Sequence, residues 1–282
     1  MLELPEAEVL RRDLEKEVVG KRVKDVIIET PSIVRPFHRT RPDLQKNLEE
    51  RKIEGARRRG AVIFLDLDED VTWVIDPGST SSLHRETANE PPGDDTHMVV
   101  TFTIGGAIHI SDPNSEPSAS TGVVPTESAF EEAGLDPDAL DPLDDNPPWM
   151  DFANKLRDAA TDLRSFVTDN KHMVGIGDVY GDEILWEAGL RHDRPTDQIS
   201  TQEVRRLYRA IQEVLAAAMK ERDSSLDQVD HEVAVNDDEG EVAEHLKVYG
   251  REGLPCLRCR QPIVHTKIKR GSYTYHCAQC MI

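Results

Sequence analysis

All four cysteines of this 282-residue chain lie in its last 27 residues, as two Cys-x-x-Cys pairs. The first pair is Cys256 and Cys259, the second is Cys277 and Cys280, and 17 residues separate them. A hairpin of that length can bring four sulfurs to one tetrahedral ion, so the spacing predicts a four-thiolate zinc ribbon. Since four thiolates leave no open position for water, the Zn²⁺ would be structural.

Two other interpretations of the cysteines stay open, namely two disulfides or four buried thiols. A Cys-x-x-Cys disulfide closes a very small ring, and the charged, amphipathic N-terminus is unlike a secretion signal. His265 and His276 could also replace a thiolate. No run approaches the ~20 apolar residues of a membrane span, so the sequence predicts a soluble cytoplasmic protein.

Charge is distributed unevenly along the chain. The net charge is −20, the wrong sign for a protein whose whole surface holds nucleic acid. From residue 247 to the end, however, seven basic residues accompany one acidic residue, a local charge of +6. The cysteine segment is therefore a basic island on an acidic body, either an element that contacts nucleic acid or a solvated basic turn.

Hydrophobic patterning predicts strands first and helices later. After a helix at residues 7–19, β-branched runs predict an antiparallel sandwich or barrel with strands at residues 23–29, 61–67, 71–75, 98–103 and 107–110. Residues 112–148, rich in Pro, Ser, Gly and Asp, predict a long connection. Beyond it, helices are expected at residues 150–168, 180–188 and 201–220, the last with Ser200 or Thr201 as its cap.

These patterns predict an α+β fold in three domains. Residues 1–130 would form the antiparallel sandwich or barrel, residues 131–246 a helical domain ending in the acidic linker 223–244, and residues 247–282 a four-cysteine zinc finger.

Three separated blocks of the chain resemble the formamidopyrimidine-DNA glycosylase and endonuclease VIII family of base-excision repair enzymes. Residues 1–6, Met-Leu-Glu-Leu-Pro-Glu, are similar to the family's M-P-E-L-P-E. Residues 169–183 contain Asp-Asn-Lys and Gly-Ile-Gly-Asp-Val-Tyr-Gly-Asp-Glu, similar to D-x-K and G-I-G-N-x-Y-x-D-E. Residues 248–256 are similar to the approach to its zinc finger. The resemblance implies an N-terminal antiparallel β-sandwich flanked by helices, then a helix-two-turn-helix domain and a zinc finger. Duplex DNA would lie across the cleft between the sandwich and the helical domain.

The resemblance also implies a DNA glycosylase and AP lyase function, with damaged or distorted duplex DNA as the partner of a monomer that is nucleoid-associated when bound. Glycines in the Gly-Ile-Gly turn would let backbone amides approach a phosphate, although alone they would indicate an ordinary tight turn. The DNA-binding residues so implied are Lys171, Gly175, Gly177, Asp178, Tyr180, Lys267, Lys269 and Arg270.

The chain departs from the family pattern at its catalytic start. The family's nucleophile is the amine of a proline exposed by removal of the initiator methionine, and here that position holds Leu2. The catalytic candidates are therefore Glu3, which serves proton transfer in the family, and the amine of Met1 or Leu2. A primary amine can still form a Schiff base with a sugar aldehyde. Glu3 is equally explained as a helix N-terminal residue favoured by the dipole.

Other departures fall on DNA contacts. Ala61 replaces the family's strand lysine, and Asp178 replaces its phosphate-contacting asparagine, where a negative charge would repel DNA unless it is protonated or faces away. The Arg-Phe pair that fills the gap left by an extruded base is absent between Asp112 and Gly122. The zinc-finger arginine corresponds to Arg270 or, by simple counting, to Ser272.

Two hypotheses of function follow, since the departures fall on the chemistry while the scaffold motifs remain. One is a damaged-DNA glycosylase with an atypical nucleophile, using Glu3 with the Met1 amine or a water. The other is a duplex-binding protein without catalysis. A third, a protein-interaction adaptor, would show no salt-dependent affinity for DNA.

Overall fold

The computed structural model describes residues 2–87, 90–221, 246–268 and 272–282. Residue contacts divide them into two compact units, one ending at Pro137 and one formed by residues 138–221 with 246–282. The predicted linker at 223–244 lies outside the described residues, as do Met1, Lys269 and Arg270. Within the described ranges, no helix is long and apolar enough to cross a membrane.

The first unit is a sandwich of two four-stranded antiparallel sheets, ordered β1-β6-β7-β5 and β2-β3-β4-β8. The strands are β1 (Val23–Ile28), β2 (Ile53–Arg59), β3 (Val62–Leu67), β4 (Val71–Asp76), β5 (Ser82–Glu86), β6 (Thr96–Phe102), β7 (Ala107–Ser111) and β8 (Ser120–Pro125). The helices are α1 (Leu4–Glu17), α2 (Arg41–Leu48) and α3 (Ala129–Glu132). Buried side chains of both sheets and of α1, such as Leu65, Val100 and Leu10, share one core. The predicted sandwich is confirmed.

Helix α1 begins at Leu4, three residues before the predicted start. Pro5 lies in its first turn, and the Glu6 carboxylate accepts a hydrogen bond from the Glu3 amide at 3.0 Å. Proline tolerates the first turn because its missing N–H would have no helical partner there. This start buries the residues around Glu3 against the sandwich.

The second unit contains α4 (Trp149–Asp158), α5 (Leu163–Thr168), α6 (Asp178–Ala188), α7 (Thr201–Lys220) and the hairpin of β9 (Val264–Lys267) with β10 (Tyr273–His276). The single helix predicted at 150–168 is two helices. Ala160 adopts a φ of +48°, which ends the first helix. The Asp162 carboxylate then accepts a hydrogen bond from the Ser165 amide at 2.8 Å and caps the start of α5. Ser200 caps α7 in a capping box with Glu203, as predicted.

The segment between β7 and β8 is organised by the buried carboxylate of Asp112. This carboxylate accepts hydrogen bonds from the Ser81 hydroxyl at 2.6 Å, the Thr80 hydroxyl at 2.7 Å and the Ser118 amide at 3.0 Å. It also accepts from the Asn114 amide at 2.9 Å. Burial alone would raise the pKa of Asp112, but these donors outweigh it and hold the pKa well below its ordinary value.

We expect Asp112→Asn to lower the free energy of unfolding by about 2 to 3 kcal/mol at pH 7, because the neutral amide accepts these bonds less strongly. A depressed pKa contributes stability that is present above about pH 4 and lost below it. The difference between wild type and variant should therefore shrink in urea unfolding as pH falls toward 3. Exposed Asp94→Asn is the control. A pH-independent difference would contradict this role of the charge.

Candidate functional site

The four cysteine sulfurs form one cluster in the second unit. All four Sγ atoms lie within 4.8 Å of one another, with 3.9 Å between Cys256 and Cys280 and 3.4 Å between Cys259 and Cys277. A tetrahedral ion with metal–sulfur bonds of about 2.3 Å would space its sulfurs about 3.8 Å apart. A disulfide requires about 2 Å, and all four cysteines are free. The residues present therefore fit one metal ion.

Two adjacent buried carboxylates of α6 hold the hairpin and the chain that leads into it. Asp182 accepts hydrogen bonds from the Thr274 hydroxyl at 2.6 Å and from the Tyr275 amide at 2.7 Å. Glu183 accepts hydrogen bonds from the Val248 amide at 2.8 Å and from the Tyr249 amide at 2.9 Å. Burial raises the pKa of Asp182 to about 7, and it also raises the pKa of Glu183.

The cysteine knuckle itself also contacts α6. The Arg258 guanidinium lies 3.9 Å from the centroid of the Trp186 ring, and it donates to the Glu187 carboxylate at 3.0 Å. Lys247 donates to the same carboxylate at 2.9 Å. The cation–π contact and the ion pairs therefore add to the carboxylate anchors in fixing the knuckle on the helix.

The glycine-punctuated turn leads directly into α6. Gly175 has a φ of +81°, a conformation that favours glycine, and its amide donates to the Asn170 side chain at 3.1 Å. Gly177 is the N-cap of α6 and has extended backbone. The turn thus places the positive end of the α6 dipole at the position that the sequence predicts for a phosphate.

Asp178, at the first position of α6, is paired with an arginine that the sequence analysis did not single out. Arg164 of α5 is buried, and it donates to the Asp178 carboxylate at 2.7 Å and to the Tyr273 carbonyl at 2.9 Å. The Asp178 side chain is 46% exposed. The negative charge of Asp178 is thus compensated by an internal cation. The sequence analysis considered only a protonated carboxylate or one that faces away from DNA. In the sequence, the only indication of this pair is that a basic residue, Arg164, precedes the motif.

The other predicted DNA-binding residues differ in accessibility. Lys171 and Lys267 are exposed, whereas Tyr180 is buried and packs within the helical unit. Lys269 and Arg270 lie outside the described residues.

At the N-terminus, two of the three residues predicted to be catalytic are described, and both are buried. Leu2 is 7% exposed and belongs to the hydrophobic core of the sandwich, and Glu3 is 2% exposed. Met1 lies outside the described residues. Ala61, which stands where the family pattern has lysine, packs partly buried against the same core. Residue 2 therefore serves the packing of the sandwich.

A charge network near α1 was missed by the sequence analysis. The buried Arg58 donates to the Glu8 carboxylate at 2.8 Å, and Arg12 donates to it at 2.8 Å. Burial would raise the pKa of Glu8, but its arginine partners, Arg11 and Arg58 foremost, outweigh that effect and lower it. One basic residue of the Arg-Arg-Gly run is therefore paired inside the unit.

The segment between Asp112 and Gly122 contains no arginine or phenylalanine, the residues with which the family fills the gap left by an extruded base. A β-carbon at Gly122 would lie 2.1 Å from Cβ of Phe37, so only glycine fits there. Phe37 packs against a second hydrophobic cluster of the first unit, which includes Phe64 and Val124.

Two family models match the chain. Residues 1–115 match the formamidopyrimidine-DNA glycosylase N-terminal domain, and residues 139–230 match the formamidopyrimidine-DNA glycosylase H2TH domain.

Relatives and solved structures match along nearly the whole chain. The formamidopyrimidine-DNA glycosylases of Enterococcus faecalis and Heliobacterium modesticaldum are each 32% identical over 99% of this chain and cover 97% and 99% of their own lengths. The crystal structure of Lactococcus lactis Fpg with an abasic site containing DNA superimposes with a TM-score of 0.84, 24% identity and 99% coverage of both chains. This likeness confirms the fold, including the helix-two-turn-helix element.

The cysteine cluster predicts one metal ion per chain. We expect purified protein to contain about one equivalent by elemental analysis, and we expect Cys259→Ser to lose it and to melt at a lower temperature, because the hairpin then loses its staple. Ser272→Ala, in the same hairpin but outside the cluster, should keep both. An unchanged melting temperature after complete metal removal would contradict this role.

Proposed function

This chain belongs to the formamidopyrimidine-DNA glycosylase family, and we propose on that premise that it recognises damaged or distorted duplex DNA without the family's amine chemistry. In this proposal the cysteine cluster holds Zn²⁺ as a structural ion. The protein acts as a monomer in the cytoplasm and associates with the nucleoid when it is bound to DNA.

Duplex binding is supported by elements that lie together in the second unit. The Gly175 turn supplies a helix N-terminus for a phosphate, and the hairpin anchored to the same helix brings the exposed Lys267. The local charge of +6 from residue 247 onward favours a polyanion, whereas the acidic remainder disfavours binding elsewhere on the chain. The solved Lactococcus lactis protein binds abasic DNA, and this chain shares its fold.

Loss of the amine chemistry is carried by the burial of Leu2. A Schiff base requires a free amine that can reach the C1′ carbon of a sugar, within a near-attack distance of about 3 to 3.5 Å. The Leu2 side chain is instead built into the sandwich core. The absence of a lysine at Ala61 and of a wedge between Asp112 and Gly122 removes further groups that the family motif supplies.

A second candidate is a water-using glycosylase in which Glu3 acts alone. Its support is that Glu3 is retained from the family motif and is 2% exposed, an environment in which a carboxylate can orient a water for attack. Such an enzyme would release a free base and would form no covalent adduct.

Borohydride trapping tests the amine chemistry. With a duplex that contains one abasic site, we expect no adduct above background on a denaturing gel, because Leu2, at the position of the family's nucleophile, is packed into the sandwich core. A relative that begins Met-Pro-Glu-Leu-Pro-Glu is the positive control. A trapped adduct that disappears when the N-terminus is chemically blocked would contradict the proposal. Free base released by wild type but not by Glu3→Gln would establish the second candidate.

The Asp178–Arg164 pair gives a prediction for affinity. Asp178→Asn removes a negative charge beside the phosphate turn and frees one side of Arg164, so affinity for an abasic duplex at low salt should rise about five- to tenfold. Fluorescence anisotropy measures the change. Asp193→Asn, which breaks the comparable Arg191 ion pair, is the matched control and should change affinity less than twofold. Equal effects of both substitutions, or weaker binding by Asp178→Asn, would place the phosphate elsewhere.

A further inference from the structure

The hairpin has one face that packs inward and one that carries rings. Side chains alternate along a strand, and the register pairs Tyr275 with His265 and Tyr273 with Lys267. These four side chains therefore share one face. Thr274, on the other face, is buried and donates to Asp182. The inward face is thus used in attaching the hairpin to α6, and the ring-bearing face lies on the opposite side of the two strands.

The rings on this face form a continuous array. The His265 and Tyr275 rings are stacked, with centroids 4.2 Å apart and planes 4° from parallel. The Tyr273 ring lies 4.5 Å from His265, and the Tyr249 ring lies 4.9 Å from Tyr275. Three of the five tyrosines of the chain are gathered here. The Glu252 carboxylate, 3.4 Å from Nδ1 of His265, helps to orient the imidazole.

The outer end of the array is accessible and borders positive charge. Tyr273 is 45% exposed, an unusual exposure for a large ring in this chain, and its cross-strand partner Lys267 is exposed as well. Apart from Glu252, every charged residue from 247 onward is basic. An apolar protein segment would leave this charge unanswered, whereas a nucleotide offers a ring to stack and a phosphate to pair with lysine.

We propose that Tyr273, His265, Tyr275 and Lys267, here called the aromatic face, bind unpaired nucleotides of a DNA strand by stacking. Tyr273 supplies the open ring on which a base stacks, the parallel His265 and Tyr275 rings support it from behind, and Lys267 pairs with the phosphate. This goes beyond the proposed recognition of duplex DNA, because the bases of an intact duplex hide their faces from a side chain. The partner is therefore a single-stranded, gapped or looped segment.

The experiment compares two probes at low salt by fluorescence anisotropy: a labelled thymidine oligonucleotide of about ten residues and a duplex with one abasic site. Stacking is worth about 1 to 3 kcal/mol per base, so Tyr273→Ala should weaken single-strand binding about tenfold or more. Tyr273→Trp should keep it within about twofold, and its added indole should be quenched when the strand binds. Val264→Ala, on the opposite face of β9, is the matched control and should leave binding unchanged.

Folding of each variant is checked by metal content and melting temperature. The Tyr273 carbonyl that binds Arg164 belongs to the backbone and survives substitution.

Selective loss of single-strand binding by Tyr273→Ala, with the abasic duplex still bound, supports the proposal. Single-strand binding that Tyr273→Ala leaves intact, or loses in equal measure with duplex binding, overturns it. If the wild-type protein binds only the duplex, the single-strand binding assigned to the aromatic face is wrong, while the proposed function stands. If wild type binds neither probe, both fail.

Discussion

The structure of the second unit depends on two neighbouring carboxylates, Asp182 and Glu183, buried on one turn of α6. Burying a charge without partners costs free energy, so each carboxylate requires hydrogen-bond donors that are fixed in the structure. Those donors come from the hairpin and from the chain that leads into it. Since α6 begins at the Gly177 cap, the same helix that carries these anchors also presents its N-terminus at the glycine turn. Turn and hairpin are therefore positioned together.

This coupling sets the residues that anchor the hairpin apart from the positions at which the sequence departs from the family motif. The side chains that anchor the hairpin are interior and depend on one another, whereas residue 2 and residue 61 each pack against the sandwich without such partners. Asp178 shows a third behaviour. Its charge at the glycine turn is matched by Arg164, which also donates to the Tyr273 carbonyl, so the departure is compensated within the same network. In the proposed function, duplex recognition therefore persists without the family's amine chemistry.

The elements that the sequence predicted well are those whose local signals agree with their packing. Helix α7 has an apolar stripe and a Ser200 capping box, and the cysteine spacing by itself predicted the cluster. Strand β2 was missed because three successive arginines mask its alternation, and two of them are neutralised by partners elsewhere, Asp66 and Glu8. Strand β8 lay within a predicted connection because its Ser-Thr-Gly start reads as a loop. Its pairing with β4, and the close approach of Phe37 at Gly122, are long-range contacts. The break between α4 and α5 depends on the backbone of Ala160, a residue with high helix propensity.

The candidate site divides in the same way. Motifs that place backbone, such as the Gly-Ile-Gly turn and the Cys-x-x-Cys pairs, were predicted from the sequence. The Arg164–Asp178 pair and the ring array of the hairpin require knowledge of which strands and helices meet.

The most direct test of the account is the salt dependence of affinity for duplex DNA with and without a single abasic site. Each phosphate contact contributes a slope of about −0.9 in the logarithm of the association constant against the logarithm of salt concentration. If this chain recognises damaged duplex DNA, the slope corresponds to several contacts and the abasic duplex binds more tightly than the intact one. Binding that is independent of salt, or equal affinity for the intact and abasic duplexes, would contradict it.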